Sequence, residues 1–358
     1  MTIHSARRSW AATVCLAAIL IASAAEARIT SVTGASSVQL TRLVHGTSDA
    51  SVSDSHSFPP STQPTLSTVQ LDAPGLSGEF RGAAQASAVF TDSRTVFGFI
   101  PNDAGIDVAA FALDPAVAFE GNGHSSSTRT IRLSGADLRF PTSQPVTVRS
   151  SIFIAGALIL AAGDASADLS GLQADITVSV LQTGGGTPGQ VLHTSARLAG
   201  HANGQVNVES TGALAAVPLG AVDLLALSPQ LQVPGIGVVR VVPFPVVALD
   251  YEYGVMVDQD FQLTAEFDVH IRTLAGNSAA AAIFGLPQIS LPASMAKVRG
   301  DDAGQQLARA VSSLVDTTGR SGPPSRPLFG LCGAVGFEAW LAGAACVGWT
   351  MSRRRRRR

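Results

Sequence analysis

From Phe261 to Arg272 the chain alternates without a break, with Phe261, Leu263, Ala265, Phe267, Val269 and Ile271 set against Gln262, Thr264, Glu266, Asp268, His270 and Arg272. A period of two places one set on a buried face and the other in water, which defines a strand with one wet side. A helix would scatter both sets around its circumference. Such a strand needs neighbours at both edges and an apolar layer beneath it, so this segment alone commits the chain to a layered β fold.

The same pattern recurs. Leu172, Ala174, Ile176, Val178 and Val180 alternate with Gln173, Asp175, Thr177 and Ser179, and Gly184-Gly185-Gly186 with Pro188-Gly189 then turns the chain into a strand from Gln190 to about Leu198. Asn203-Gly204, before Gln205 to Glu209, is a strong two-residue hairpin signal, and hairpins imply antiparallel pairing. Further strands are predicted at Val38 to His45, Thr65 to Leu71, Leu76 to Phe90, Ile106 to Phe119, Val146 to Leu160, Val233 to Val242 and Val246 to Val257. Ile152 to Ala162 is nearly all apolar but too short to span a bilayer as a helix, and its β-branched residues suit a strand buried on both faces. Ala303 to Val315, with Leu307, Val311 and Leu314 on one face, reads as the one helix of the body, and Ser48 to Gln63, rich in Ser, Pro and Asp, as a long surface loop. The expected fold is all-β, an antiparallel β-sandwich of jelly-roll type, followed by a C-terminal transmembrane helix.

The two ends of the chain set its expected location. Arg7 and Arg8, an apolar run from Trp10 to about Ala24, and the small-residue box Ala25-Glu26-Ala27 have the three parts of a secretory signal peptide over residues 1–27. At the other end, Leu328 to Met351 is apolar apart from Glu338 and stops against Arg353, Arg354, Arg355, Arg356, Arg357 and Arg358. About 20 apolar residues suffice to cross a bilayer, and flanking arginines stay on the cytoplasmic side. Residues 28–316 then form an exported β-rich domain, 317–327 a Pro/Gly-rich linker, and 328–358 the membrane tail. The protein would lie in the periplasm or at the cell surface, held by the inner membrane.

Two function classes are disfavoured once the ends are set aside. Eight of the 24 basic and two of the 26 acidic residues lie in those ends, which leaves the body acidic by eight charges and a poor partner for nucleic acid. Cys15 lies in the signal and Cys332 and Cys346 in the tail, so the body has no disulfide framework, thiol nucleophile or cysteine metal site. Its stability must come from a core.

Pro323-Pro324-Ser325-Arg326-Pro327, then Leu331-Cys332-Gly333 opening the apolar span, then the terminal arginines resemble the tripartite sorting signals of Gram-negative bacteria, the PEP-CTERM type and its Cys-containing myxobacterial relatives. The resemblance covers about the last 36 residues and leaves the body unassigned. It implies a sorting protease as partner, with Cys332, Gly333, Glu338 and the arginines Arg353 to Arg358 as the recognition and processing residues, and a lipid on the Cys332 thiol as one outcome. The chain lacks Val-Pro-Glu-Pro, so the Cys-containing version is the nearer one. A plain anchor whose cysteines pack in lipid is the alternative, although a carboxylate at the depth of Glu338 is costly there.

The body itself contains no Gly-x-Ser-x-Gly, His-Glu-x-x-His, P-loop or Gly-x-Gly-x-x-Gly pattern. Asp258 and Asp260, at the turn before the best strand, are candidate ligands for calcium, with Asp250 and Glu252 ending the strand before; solvated turn residues are the plainer alternative. His193 and His201 would flank one hairpin as a metal pair or as two separate surface residues. All three tryptophans lie in the terminal segments and the body has only Tyr251 and Tyr253, which weakens both a polysaccharide-hydrolase cleft and a sugar-stacking platform. A structural, matrix, adhesion or interaction role with a glycan or protein ligand is favoured over an envelope polysaccharide hydrolase with a carboxylate site.

Overall fold

The computed structural model describes residues 27–284, except 62–64, 73–77, 89–97, 100–103, 136–140, 142, 164–167, 230 and 232–235, together with 306, 309–311, 313–315 and 330–332. The segments read as signal peptide, apart from Ala27, and as linker, and most of the tail, lie outside these residues. Among the described residues there are sixteen strands: β1 (Ala27–Val44), β2 (Thr47–Ser61), β3 (Thr65–Asp72), β4 (Gly78–Ala88), β5 (Gly98–Phe99), β6 (Ala104–Ala112), β7 (Val117–Leu133) and β8 (Pro145–Ala162) in the first half. The second half adds β9 (Gln173–Gly184), β10 (Gly189–Gly200), β11 (Val206–Thr211), β12 (Val222–Asp223), β13 (Val238–Met256), β14 (Asp260–Arg272), β15 (Ser278–Phe284) and β16 (Gly330–Cys332).

They form two sheets. The first, sheet A, runs β11-β10-β9-β14-β7-β1-β2; the second, sheet B, runs β12-β13-β8-β15-β6-β4-β3, with β5 and β16 added beside β8. Pairing is antiparallel throughout except for β5 against β8. The chain passes between sheets at each of β2–β3, β6–β7, β7–β8, β8–β9, β11–β12, β13–β14 and β14–β15, so the sheets are woven from alternating segments of sequence. Among the described residues no helix is long and apolar enough to cross a membrane, and 333–358 lie outside them.

The core follows from the alternation. Phe261, Leu263, Ala265, Phe267, Val269 and Ile271 of β14 are all buried, in one cluster with Ile176 and Val178 of β9 and Ile152, Ile154, Leu158 and Leu160 of β8. From Gly156 to Ala162 this segment is buried on both faces, as its composition predicts, because the odd-numbered residues Ala157, Ile159 and Ala161 join a second cluster on the far side of sheet B. Val311, fully buried, covers that cluster with Leu314 and Val315, and the described residues between 306 and 315 are helical. Leu224 of a one-turn helix, Leu224–Leu227, covers it as well; Asp223 caps this helix by accepting from the N–H groups of Leu225 and Ala226. One face of sheet B is therefore roofed, while the outer face of sheet A is polar.

Three sequence readings change. Ser48 to Gln63 is not a loop: residues 47–61 form β2, an edge strand on β1, whose serines, acids and Pro59-Pro60 suit an edge that must not recruit another chain. The strand expected from Ile106 to Phe119 breaks at Asp114, whose carboxylate accepts from Ala116 N–H while its carbonyl accepts from Val117 and Gly276, and the chain leaves sheet B there for sheet A. The two strands expected over 233–257 are one, β13, with a pairing irregularity between Phe244 and Val247 where Pro245 cannot donate. The hairpin expected at Asn203-Gly204 forms, with φ of 59° and 68° at the two residues, but its loop is five residues long, 201–205, because β10 and β11 pair only from Gly200 and Val206 outward.

At Gly156 of β8 an added Cβ would sit 1.9 Å from the Ile283 carbonyl oxygen of β15, a backbone atom that cannot swing aside. Gly156→Ala should therefore cost about 3 kcal/mol and lower the melting temperature by about 6 °C or more. Gly189→Ala, where nothing lies within 4 Å of the new methyl, should leave it nearly unchanged in the same thermal melts.

Candidate functional site

Strand β7 has a polar outer edge and a small-residue inner one. Gly121, Gly123, Ser125, Ser127 and Arg129 point into the sandwich, and a Cβ on Gly123 would come within 2.7 Å of Val108 Cγ2 from the facing sheet, so glycine lets the sheets close up there. This leaves Asn122, His124, Ser126 and Thr128 outside, between β1 and β14.

In register across four strands, the outward residues fall into two rows at right angles to the chain direction. One is Ser37, His124, Asp268, Thr177; the next is Gln39, Asn122, His270, Asp175. The rows continue into Ser55 and Ser53 of β2 on one side and Ser195 and Arg197 of β10 on the other. Between them lies a groove of about 270 Å³, lined by these eight side chains with Gly123 and Val269 at its floor. Four strands at the usual spacing make it about 14 Å long.

Two imidazole–carboxylate pairs hold the groove. His124 Nδ1 lies 2.7 Å from Asp268 Oδ1, and His270 Nδ1 lies 3.3 Å from Asp175 Oδ2. An ionised carboxylate only accepts, so both Nδ1 atoms carry the hydrogen and each Nε2 is left to other partners. Gln173 donates to Asp175 and accepts from Arg197, whose Nε is 3.5 Å from Asp175 Oδ1, so Asp175 is fixed from two sides. The hydrogen bond to Asp268 raises the His124 pKa above the usual imidazole value; partial burial opposes this, and the charges of Asp268 and Glu266 add to it.

The residues singled out from sequence go elsewhere. Asp258 sits in the turn between β13 and β14 at φ 63°, with Oδ1 accepting from Gly135 N–H at 2.9 Å, while Asp260 Oδ1 is 3.9 Å from Arg132 Nη1. Asp250 accepts from Ser151, and Glu252 pairs with Arg149. Among the described residues no three His, Cys, Asp or Glu side chains are grouped to hold a metal ion. His193 and His201 are not a metal pair: one lies inside β10 beside Ser179 and the other just past its far end, a rise of about 27 Å. Residues 330–332, read from sequence as part of the membrane helix, are instead strand β16, whose last residue, Cys332, lies opposite Thr147 of β8; Gly333, Glu338 and Arg353 to Arg358 lie outside the described residues. Tyr251 and Tyr253 are buried and stacked at 5.9 Å, and burial pushes the Tyr251 hydroxyl up to about 12 and Tyr253 well above the ordinary value. Neither offers a ring to a surface ligand.

Sequence reasoning placed His270 on the wet face of its strand but missed the groove, because His124 and Asn122 lie on a strand without apolar alternation. The signal available was the run Gly121-Asn122-Gly123-His124-Ser125, small residues alternating with larger polar ones.

No protein-family model matches the chain, and no curated protein matches it. Among solved structures found, the VP2 subviral particle of infectious bursal disease virus is 12% identical over 83% of this chain and 76% of that one, with a TM-score of 0.11. A score of that size carries no argument about either fold or function.

Because His124 is raised in the folded state, the folded chain binds the proton more tightly than the unfolded chain, and stability contributed by the pair falls as pH rises. It is fully present below the ordinary imidazole value near 6.5 and is lost as pH passes through the higher folded value. An NMR titration of His124 should give a midpoint above 6.5, returned toward it by Asp268→Asn. A midpoint unmoved by that substitution contradicts the pairing.

Proposed function

We propose that the chain is an exported protein, attached to the envelope or cell surface by its tail, whose jelly-roll-like sandwich serves a structural, matrix or adhesive role through the outer face of sheet A. The observation that supports this reading most is the contrast between the two outer faces. Helical residues cover the apolar outer side of sheet B, whereas alternating polar side chains tile sheet A from β2 to β11 and are tied to one another across the strands. Thr128 and Thr264 hydroxyls lie 2.9 Å apart, Gln39 donates to Ser51 at 3.2 Å, and Arg272 Nε is 3.4 Å from Glu120. A wet surface whose side chains are tied to one another in this way suits contact with an extended partner better than enclosure of a small substrate.

The ends of the chain supply the attachment. Strand β1 begins at Ala27, the residue after which the signal box predicts cleavage, so the exported chain would start directly in its sheet. In this reading the apolar residues that follow β16 supply the membrane helix, Glu338 and the arginines address a sorting protease, and Cys332, at the end of β16, is the residue open to modification.

Fractionation of native cells followed by intact-mass measurement tests the proposal. The protein should be in the envelope fraction, start at Arg28, and end between Thr317 and Cys332. A soluble cytoplasmic chain still carrying Met1 contradicts export, and a chain ending at Arg358 contradicts processing and leaves a simple anchor. Turnover of a polysaccharide or ester, abolished by a single Asp or Glu substitution, would overturn the non-enzymatic role.

A further inference from the structure

We infer that the groove across β1, β7, β14 and β9 is a binding site for a linear polysaccharide of uncharged sugars, lying at right angles to the strands. The inference rests on the surface-interaction reading above and names the partner for that face.

Three properties of the groove lead to this ligand class. The first is direction: its walls are two cross-strand rows, Ser37–His124–Asp268–Thr177 and Gln39–Asn122–His270–Asp175, so equivalent groups recur once per strand along its length. The strand spacing of about 4.8 Å is close to the repeat of an extended pyranose chain, so successive sugars would meet successive pairs of side chains. The second is chemistry. Two carboxylates accept from sugar hydroxyls, two amides and two hydroxyls both donate and accept, and two imidazoles anchored through Nδ1 present Nε2, an acceptor when the ring is neutral and a donor when it is charged. A polyol, which donates and accepts at every carbon, can match this mixture. A hydrocarbon cannot, because it would leave polar groups desolvated without partners.

The third is charge. Asp175 and Asp268 face the groove and Glu266 lies beside Asp268 on the same wet face of β14, while Arg197 is the charged partner of Asp175. Even with His124 charged, these three carboxylates outnumber Arg197 and His124, so anionic polymers are opposed. The groove has no aromatic platform, so recognition depends on hydrogen bonds from side chains already held in place, and on the number of sugars engaged at once. Asp268 and Asp175 matter most, since each both orients an imidazole and accepts from the ligand.

The test uses the full chain purified in detergent and calorimetric titration with hexasaccharides of β-1,4-glucan, β-1,4-mannan and β-1,3-glucan, with hexagalacturonate as the anionic comparison. At least one neutral hexamer should bind saturably and hexagalacturonate at least ten-fold more weakly. Asp268→Asn and Asp175→Asn should each weaken binding ten-fold or more, with His124→Gln as an independent variant of the same wall. Gln262→Ala, on the same face beyond the groove, should bind as the parent does, and thermal melts confirm that every variant is folded. No binding of any neutral hexamer, equal binding of the anionic one, or undiminished binding by the folded Asp268→Asn and Asp175→Asn variants overturns the inference. These outcomes are independent of where the protein fractionates, so a failure here is separable from a failure of the envelope assignment.

Discussion

Sheet A depends on β14. It lies between β7 and β9, in register with one along thirteen residues and with the other along twelve, and among the described residues no other strand joins β2-β1-β7 to β9-β10-β11. The union is long-range: His124 and Asp268, paired across it, are 144 positions apart in the chain. Closing such a loop costs entropy before any contact returns it, and the buried apolar row of β14 offsets that cost only when its register is right. A slip of one residue would turn Phe261, Phe267 and Ile271 into water and carry Asp268 and His270 into the core.

The same constraint makes the groove. Once β14 is in register, Asp268 must stand opposite His124 and Thr177, and His270 opposite Asn122 and Asp175, with no freedom left to the loops. A surface built this way is fixed by ladder hydrogen bonds on both sides of each strand, which favours repeated, preformed contacts over a closing cleft. Asp175, held by Gln173, Arg197 and His270, shows how far this fixing goes.

Legibility in the sequence followed the size of the inward side chains. β14 and β9 were readable because large apolar residues alternate with polar ones, and the buried half of β8 because both of its faces are apolar. β7 was not, since its inward row is Gly121, Gly123, Ser125, Ser127 and Arg129; Ser125, Ser127 and Arg129 are nonetheless at most 2% exposed. Tertiary packing, not propensity, makes that segment a strand, and the missing half of the groove went with it. β2 was hidden likewise, because an edge strand with Ser51, Ser53, Ser55 and Ser57 on one side has the composition of a loop. The carboxylates that stood out, Asp258 and Asp260, did so by clustering in sequence, and the fold spends them on a turn and an ion pair.

The absence of cysteine from the body makes the central register directly measurable. Thr128 and Thr264 face each other on β7 and β14 with their hydroxyl oxygens 2.9 Å apart. With Cys15, Cys332 and Cys346 replaced by serine, the double substitution Thr128→Cys and Thr264→Cys should oxidise to a single intramolecular disulfide, found by peptide mapping between those two positions with the melting temperature kept or raised. Two thiols that stay free under oxidation in the folded protein would contradict the pairing of β14 with β7, and with it the sheet and the groove.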